Sequence, residues 1–335
     1  MAAFSKEITR EPIERTFLGK PVALYRKEDG TPVAMYGLCP HRYYPLAKGK
    51  VEGDALKCGY HGFTFDADGS CISIPSQEAA GKFCQPTYQI VERGPLCWIW
   101  MGDEDKSDDV AIPPYEDFGL DQSGWCYSSE NYFHLQGRAQ LLVDNLMDLT
   151  HLPYIHHHLP GGDTMAKTVL DTLDRPHSYQ VYRKGKVPFN PFFKIIFGAD
   201  ASFEGLSDFT QLSDFYGPEL IRTSLPVMAD IKIGEPISDD HRQLYILHGV
   251  TPETETSTHY FGFATRNFRV DEAAVGEFWL QSDSEIRQQD VDAINRVEER
   301  LEYGAENQKE LLVVSDRPAI KVRKRINSML AAENK

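Results

Sequence analysis

The chain has 335 residues, 50 of them acidic and 35 basic, for a net charge of -15. That charge argues against nucleic acid or an anionic membrane as a partner. No run is long and apolar enough to span a bilayer, and residues 1–7 lack the apolar core of an export signal, so a cytoplasmic protein is expected. Hydrophobic content of 41% and charged content of 25% are ordinary for a globular chain, and the length suggests two domains of roughly 150 residues.

Residues 8–38 read as short strands of a β-domain. Residues 21–26 and 32–36 are strand-like, and Glu28-Asp29-Gly30 between them is a turn, which predicts a hairpin. The hairpin delivers the chain to Cys39-Pro40-His41. A second short motif, Cys58-Gly59-Tyr60-His61-Gly62, follows. Each offers one thiolate and one imidazole. Four such ligands can hold zinc. They can also hold a [2Fe–2S] cluster, with both cysteines on one iron and both histidines on the other. Zinc fingers usually pair like ligands, whereas each motif here mixes them. Two parallel loops of this kind would gather the sulfurs at one iron and the imidazoles at the other. Gly59, Gly62 and Pro40 suit tight loops whose N–H groups point at the sulfurs. In a chain this long without an export signal, the six cysteines are not a disulfide framework. Cys71, Cys84, Cys97 and Cys126 are expected to be small buried residues.

Residues 63–70 read as a strand and turn, and residues 88–93 and 96–101 as the strands that close the β-domain. The charged run 102–109 reads as a linker or loop. It sets the expected division: residues 1–105 as the first domain and 106–335 as the second.

After a strand-like stretch at 125–135 comes a segment dense in chemistry. Asn145, Asp148 and His151 are spaced i, i+3, i+6, so one helix would carry them as a polar stripe beside a core face of Leu142, Leu146 and Leu149. Buried polar groups need partners, so the stripe should line a cavity or hold a metal. His156 lies five residues beyond His151, and Pro153 between them should bend the helix. Two histidines and one carboxylate are the ligands of a non-haem Fe(II) site with open positions. The plainer alternative is a histidine-rich surface turn, since His157 and His158 follow directly.

Gly161-Gly162-Asp163 should end that region. Residues 179–182, 220–225, 243–250 and 258–264 are strand-like, and several alternate apolar and polar, as an antiparallel sheet with one buried face requires. Residues 188–198 are irregular and apolar and read as a packed loop. Ser282-Asp283-Ser284-Glu285 has the form of a capping box, with Ser282 as N-cap. The helix after it has an apolar stripe of Ile286, Ile294, Val297 and Leu301. Asp290 falls within that stripe, and a carboxylate there is costly unless paired or bound to metal. Its alternative is a carboxylate favoured by the helix dipole. Asp292 and Glu298 are expected to be solvated.

The Cys39/His41 and Cys58/His61 pairs resemble the Rieske motif of aromatic-ring oxygenases. The run from Asp144 to His151, with His156, is similar to the mononuclear iron motif of the same enzymes. Both motifs appear in the expected order, and the resemblance extends over most of the chain. It points to the group that includes vanillate and dicamba O-demethylases and toluenesulfonate methyl-monooxygenase, whose members have one short α chain.

The resemblance implies an α+β protein, a Rieske β-domain followed by a helix-grip (START-like) catalytic domain with an antiparallel sheet. It implies a [2Fe–2S] cluster on Cys39, His41, Cys58 and His61, and a mononuclear Fe(II) on His151, His156 and Asp290. Asp148 matches the bridging carboxylate, which would accept hydrogen bonds from His151 of its own chain and from the partner subunit's His61 in a head-to-tail homotrimer. Asn145 matches a polar residue close to the iron. His248, on a probable strand, lies near where similar enzymes place a polar substrate contact; a lone strand histidine is more often structural.

The implied reaction is monooxygenation of an aromatic compound with O2 and electrons from a reductase or ferredoxin: O-demethylation of a methoxylated acid, or else ring or methyl hydroxylation. Readings from other classes are a Rieske electron carrier fused to a ligand-binding domain, against which the second metal site speaks, and a zinc-stabilised binding module.

Overall fold

The computed structural model describes residues 1–109, 112–157, 161–188, 206–224, 243–304 and 309–333. The chain forms two compact units, Met1–Ile112 with Thr251–Glu255, and Pro113–Val250 with Thr256–Lys335.

The first unit is built on the anticipated hairpin. Lys20–Arg26 pairs antiparallel with Pro32–Tyr36, with Val22 opposite Tyr36 and Arg26 opposite Pro32. Gly30 supplies the positive φ of the turn. Both faces of the hairpin are buried. Ala23, Tyr25, Val33 and Met35 pack on one side with Leu46, Leu56, Phe65 and both motif cysteines, Cys39 and Cys58. Val22, Leu24 and Ala34 pack on the other with Ala3, Ile8, Phe17 and Cys97. The hairpin is thus the middle layer of the unit, and the cysteines grow out of one of its cores. Ile90–Arg93 and Leu96–Ile99 pair as the closing strands. Residues Glu104–Asp109 form a 3-10 helix where a loop was expected.

The second unit holds a seven-stranded antiparallel sheet. Its strands are Cys126–Leu135 (β1), Leu170–Asp174 (β2), Tyr179–Pro188 (β3), Leu206–Gly217 (β4), Leu220–Ser224 (β5), Leu244–Pro252 (β6) and Thr258–Arg266 (β7). The order is β1-β7-β6-β5-β4-β3-β2, a meander from β2 to β7 to which β1 adds at the far edge. The sequence reading missed β2 and β4. The central strands β5 and β7 are buried at every position, so both faces are covered and a period of two is not visible in them. The apolar stretch 188–198 lies, from Phe189 on, outside the described residues.

Helices Ala139–Met147 (α1), Leu152–Ile155 (α2), Gly162–Lys167 (α3), Ala273–Glu302 (α4) and Arg317–Glu333 (α5) complete this unit among the described residues. Leu142, Val143, Leu146 and Met147 of α1 share one core with Val291 and Ile294 of α4, Ala319 and Val322 of α5, and Val181, Phe215, Ile221, Val250 and Tyr260 of the sheet. Each such side chain contributes about 1.5–3 kcal/mol on burial. This core fixes the two helices that carry the second set of candidate ligands.

Four expectations are corrected here. Gly161 caps the start of α3 with φ of 85° and so opens a helix where that region was expected to end. The long helix begins at Ala273, and Ser282 lies inside it, its hydroxyl donating to the Phe278 carbonyl one turn back, so no capping box exists there. Val297 is 48% exposed, whereas Glu298 is only 2% exposed. Cys71 and Cys97 are buried as expected, but Cys84 is exposed and Cys126 half-buried; all six cysteines are free.

Candidate metal centres

In the first unit the two cysteine motifs fold into matching loops. Cys39 N–H donates to the Tyr44 carbonyl and Tyr43 N–H to the Cys39 carbonyl, at 2.9 and 2.8 Å. Cys58 N–H donates to the Phe63 carbonyl and Gly62 N–H to the Cys58 carbonyl, at 2.8 and 3.1 Å. The pattern is the same five-residue loop twice, and its fifth residue has positive φ in both, 55° at Tyr43 and 72° at Gly62. Glycine meets that demand freely; at Tyr43 it is met at a cost, which the sequence does not advertise. The buried Gln85 amide adds a brace, donating to the carbonyls of Tyr36 and Leu38 just ahead of Cys39.

The donor set suits a Rieske cluster. Cys39 and Cys58 are buried in the same core cluster. The His41 and His61 rings lie 4.6 Å apart, edge to face, at the exposed end of the loops. Sulfurs inside and imidazoles outside is the sorting that a cluster with two unlike irons needs. Burial pushes the Cys39 thiol up to about 11, so loading such a site releases protons.

In the second unit α1 stops at Met147. Asp148 is extended (φ -122°, ψ 100°), and its carboxylate caps the next 3-10 turn by accepting from Thr150 N and Oγ1, at 3.1 and 3.0 Å. The polar stripe therefore does not run along one helix. The break comes at Asp148, before Pro153, which sits in the first turn of α2 where its missing N–H costs nothing. Leu142, Leu146 and Leu149 are buried, as the spacing requires.

The break turns both imidazoles inward. His151 Nε2 lies 3.5 Å and His156 Nε2 3.1 Å from the same oxygen, Oδ1 of Asp290 on α4. One ligand atom from each of the three residues falls within 4.8 Å of the others. The opposite ring nitrogens are held: Nδ1 of His151 meets the Asp148 main-chain carbonyl at 2.9 Å, and Nδ1 of His156 meets Gln289 Oε1 at 2.8 Å. Each bond to an acceptor puts a ring proton on Nδ1 and leaves Nε2 turned to Asp290, where it could bind a metal. Asn145 Nδ2 donates to Asp290 Oδ1 at 3.1 Å, while its own Oδ1 is buried without a hydrogen-bond partner.

For His156, burial pulls the ring down, but the Asp290 carboxylate outweighs it and the net shift is upward; for His151 burial wins and the shift is downward. Two imidazoles and a carboxylate, with an unsatisfied amide oxygen alongside, suit an Fe(II) site with open positions.

The clamp that holds these ligands together is absent from the sequence reading. Glu298 of α4 accepts the Arg138 main-chain N–H at 3.0 Å and its guanidinium at 2.6–3.2 Å, and Asn295 accepts the Gln136 N–H at 2.9 Å. The entry to α1 is thus tied to the helix that carries Asp290. That is why Glu298, expected in solvent, is buried. At the far end of α1, Ser213 donates to the Leu146 carbonyl at 2.5 Å. Asp144 is held by Arg323 of α5 at 2.5–3.1 Å and faces away from the ligand role.

His248 is buried in the sheet, with Nε2 2.9 Å from Thr223 Oγ1 and Nδ1 2.7 Å from both the Tyr260 hydroxyl and Arg287. Nothing in its sequence context signals the arginine.

A Rieske unit followed by a sheet-and-helix unit with a two-histidine, one-carboxylate site defines the class of Rieske non-haem iron oxygenases. Residues 1–89 match the Rieske [2Fe–2S] domain, and residues 135–332 match the vanillate O-demethylase oxygenase C-terminal domain. The chain belongs to this family of oxygenase components. It is 34% identical to the toluene-4-sulfonate monooxygenase system iron-sulfur subunit of Comamonas testosteroni, over 83% of this chain and 80% of that one. It is 30% identical to the dicamba O-demethylase oxygenase component of Stenotrophomonas maltophilia, over 98% and 96%. The crystal structure of dicamba monooxygenase bound to dicamba superposes with a TM-score of 0.85 at 28% identity, covering 99% of this chain and 96% of that one.

Proposed function

We propose that this oxygenase component demethylates a methoxylated aromatic acid, using O2 and electrons from a separate reductase or ferredoxin. The observation that carries the reading is the convergence of His151, His156 and Asp290 in a chain that also folds the paired Cys/His loops. Cys39, His41, Cys58 and His61 would hold the [2Fe–2S] cluster, and His151, His156 and Asp290 the iron. The two groups supply, when bound, one-electron relay and dioxygen activation.

The net reaction takes O2, two electrons and two protons. It places one oxygen atom on the methyl carbon and releases the other as water. The resulting hemiacetal then loses formaldehyde to leave the phenol.

The chain's own residues orient and hold. Nδ1 contacts to the Asp148 carbonyl and Gln289 aim the two rings. Asn145 lies beside the ligand set with an oxygen free to accept from a molecule at the open positions. Asp148 would link the iron site to the partner subunit's His61 in a homotrimer. An open cavity of about 650 Å³, lined by Thr150, His151, Tyr154 and Val313 among others, supports that reading, because it leaves the His151 side of the site approachable. His248 would contact the substrate. Residues 1–105 and 106–335 would be the electron-relay and catalytic domains.

Hydroxylation of a methyl substituent is the second reading. It is favoured by the likeness to the toluene-4-sulfonate monooxygenase subunit.

The test is oxygen uptake with NADH and a reductase against methoxylated and methylated aromatic acids and sulfonates, with formaldehyde assayed. Formaldehyde in step with oxygen supports demethylation. An alcohol product without formaldehyde supports the second reading. No substrate-dependent uptake by cluster- and iron-loaded protein overturns both.

A further inference from the structure

One turn before Asp290, on the sheet-facing side of α4, lies a buried charge that the iron site does not use. Arg287 is 1% exposed. It donates from Nε to Asp283 Oδ2 at 2.7 Å, and from its two terminal nitrogens to the Leu247 carbonyl at 3.2 Å and to the Tyr260 hydroxyl and His248 Nδ1 at 2.7 Å each. Asn131 donates to the same Asp283 oxygen at 3.0 Å. The group has a berth made for it: a Cβ at Gly262 on β7 would stand 2.3 Å from Arg287 Nε. Burying an ion pair in this way is costly unless its remaining donors are met, and here each nitrogen of the guanidinium is.

The direction of these bonds follows from chemistry alone. A guanidinium donates and never accepts. His248 Nδ1 must therefore present its lone pair, and the single proton of the neutral ring lies on Nε2, against Thr223 Oγ1. Thr223 accepts there and keeps its own hydroxyl proton to give. A proton added at Nδ1 would set N–H against N–H in a dry site. The titratable and charged groups facing the ring are Arg287 with its counter-ion Asp283 from α4, and Tyr260 from β7; Asp290 lies further along α4 within electrostatic reach of Tyr260. Burial, and then the Arg287 charge, hold the His248 ring well below the usual histidine range.

We infer that Arg287 is a positioning residue for the substrate. It locks His248 as a neutral ring whose Nε2–H donates to Thr223 Oγ1, which leaves the Thr223 hydroxyl proton as the donor for a carboxylate, carbonyl or ether oxygen of the ligand. The inference rests on the substrate role proposed for His248.

The test uses the full chain with its cluster oxidised and zinc in the mononuclear site, labelled with ¹⁵N-histidine and observed by solid-state NMR. The His248 signals are those that His248→Asn removes. Removing Arg287 alone would strand Asp283, so the variant is Asp283→Asn/Arg287→Met, compared with Arg287→Lys. In the unaltered protein the unprotonated Nδ1 signal should persist between about pH 8 and 5. In the double variant no guanidinium demands the lone pair at Nδ1, so a neutral ring protonated on Nδ1 should appear, and Arg287→Lys should restore the Nε2-protonated form. A ring protonated on Nδ1 in the unaltered protein, or one whose protonated nitrogen is unchanged in the double variant, overturns the inference. With the panel compound that is turned over, the double variant should also raise KM about tenfold, at unchanged cluster content. If no compound is turned over, the proposed reaction fails, and the NMR result still decides the role of Arg287.

Discussion

His151 is tethered to Asp148 through the main chain: its Nδ1 lies 2.9 Å from the Asp148 carbonyl oxygen, while the Asp148 carboxylate turns to Thr150 and faces the Arg183 guanidinium at 3.5 Å. The family resemblance implied a bond from His151 to the carboxylate. The structure gives that bond to the backbone, because the extended conformation at Asp148 aims the carbonyl at the ring and the side chain at the turn it caps.

Asp148→Asn leaves the His151 tether in place, although the buried Arg183 loses the charge it faces. The backbone tether survives, so both metal centres should load fully, while the charge proposed to link neighbouring subunits is lost. Turnover should fall about 100-fold or more, at the upper end for a residue outside the ligand set. Iron analysis alongside oxygen uptake checks this, and normal turnover removes the linking role.

His156 is fully buried with Gln289 fixing its Nδ1, whereas His157 is exposed. His156→Ala should abolish mononuclear iron binding and His157→Ala should leave it intact. Gln289→Leu should weaken iron affinity about 10–100-fold by freeing the ring to rotate. Iron titration of the three variants reads this directly, and the reverse order for the two histidines would mean the wrong ligand.

Gly262→Ala places a methyl group where Arg287 Nε stands. Arg287 is hemmed in by Asp283, Tyr260 and His248, so it cannot give way cheaply. The substitution should destabilise the second unit by about 1–3 kcal/mol, seen as a lower urea midpoint. An unchanged midpoint would show that the guanidinium has room to move.

The hydrogen bonds from Arg138, opposed by burial, hold the Glu298 carboxyl below its ordinary value of 4.5. A carboxylate depressed on folding stabilises the protein above its unfolded value, and the contribution fades as pH falls through the folded one. At neutral pH, Glu298→Gln should be less stable by about 1.5–3 kcal/mol. That gap should close as the pH drops below 4.5. Urea unfolding at neutral and acid pH measures it, and a gap that widens in acid contradicts the pairing.

The parts legible in the sequence are those set by local spacing. The hairpin at 20–36, the two Cys/His loops, the buried leucines of α1 and the carboxylate at Asp290 all follow from residues close together in the chain. What escaped depends on partners far away. Ser282 looks like a cap because its neighbours spell one, yet the helix begins nine residues earlier, and a serine inside a helix bonds backward to the preceding turn. Glu298 looks solvated because its partner, Arg138, lies 160 residues away. The strain at Tyr43 is hidden because only glycine announces a positive φ. The lock on His248 joins three strands and a helix, which no window of sequence spans.

The central claim is that one chain carries two separate iron centres, the second held by His151, His156 and Asp290. The most direct measurement is iron and acid-labile sulfide per chain in the parent protein and in Asp290→Ala, with the EPR spectrum of the reduced cluster as a reference. Three irons and two sulfides should fall to two irons and two sulfides, with the Rieske signal unchanged. Three irons retained in Asp290→Ala, or only two in a fully loaded parent protein, would contradict it.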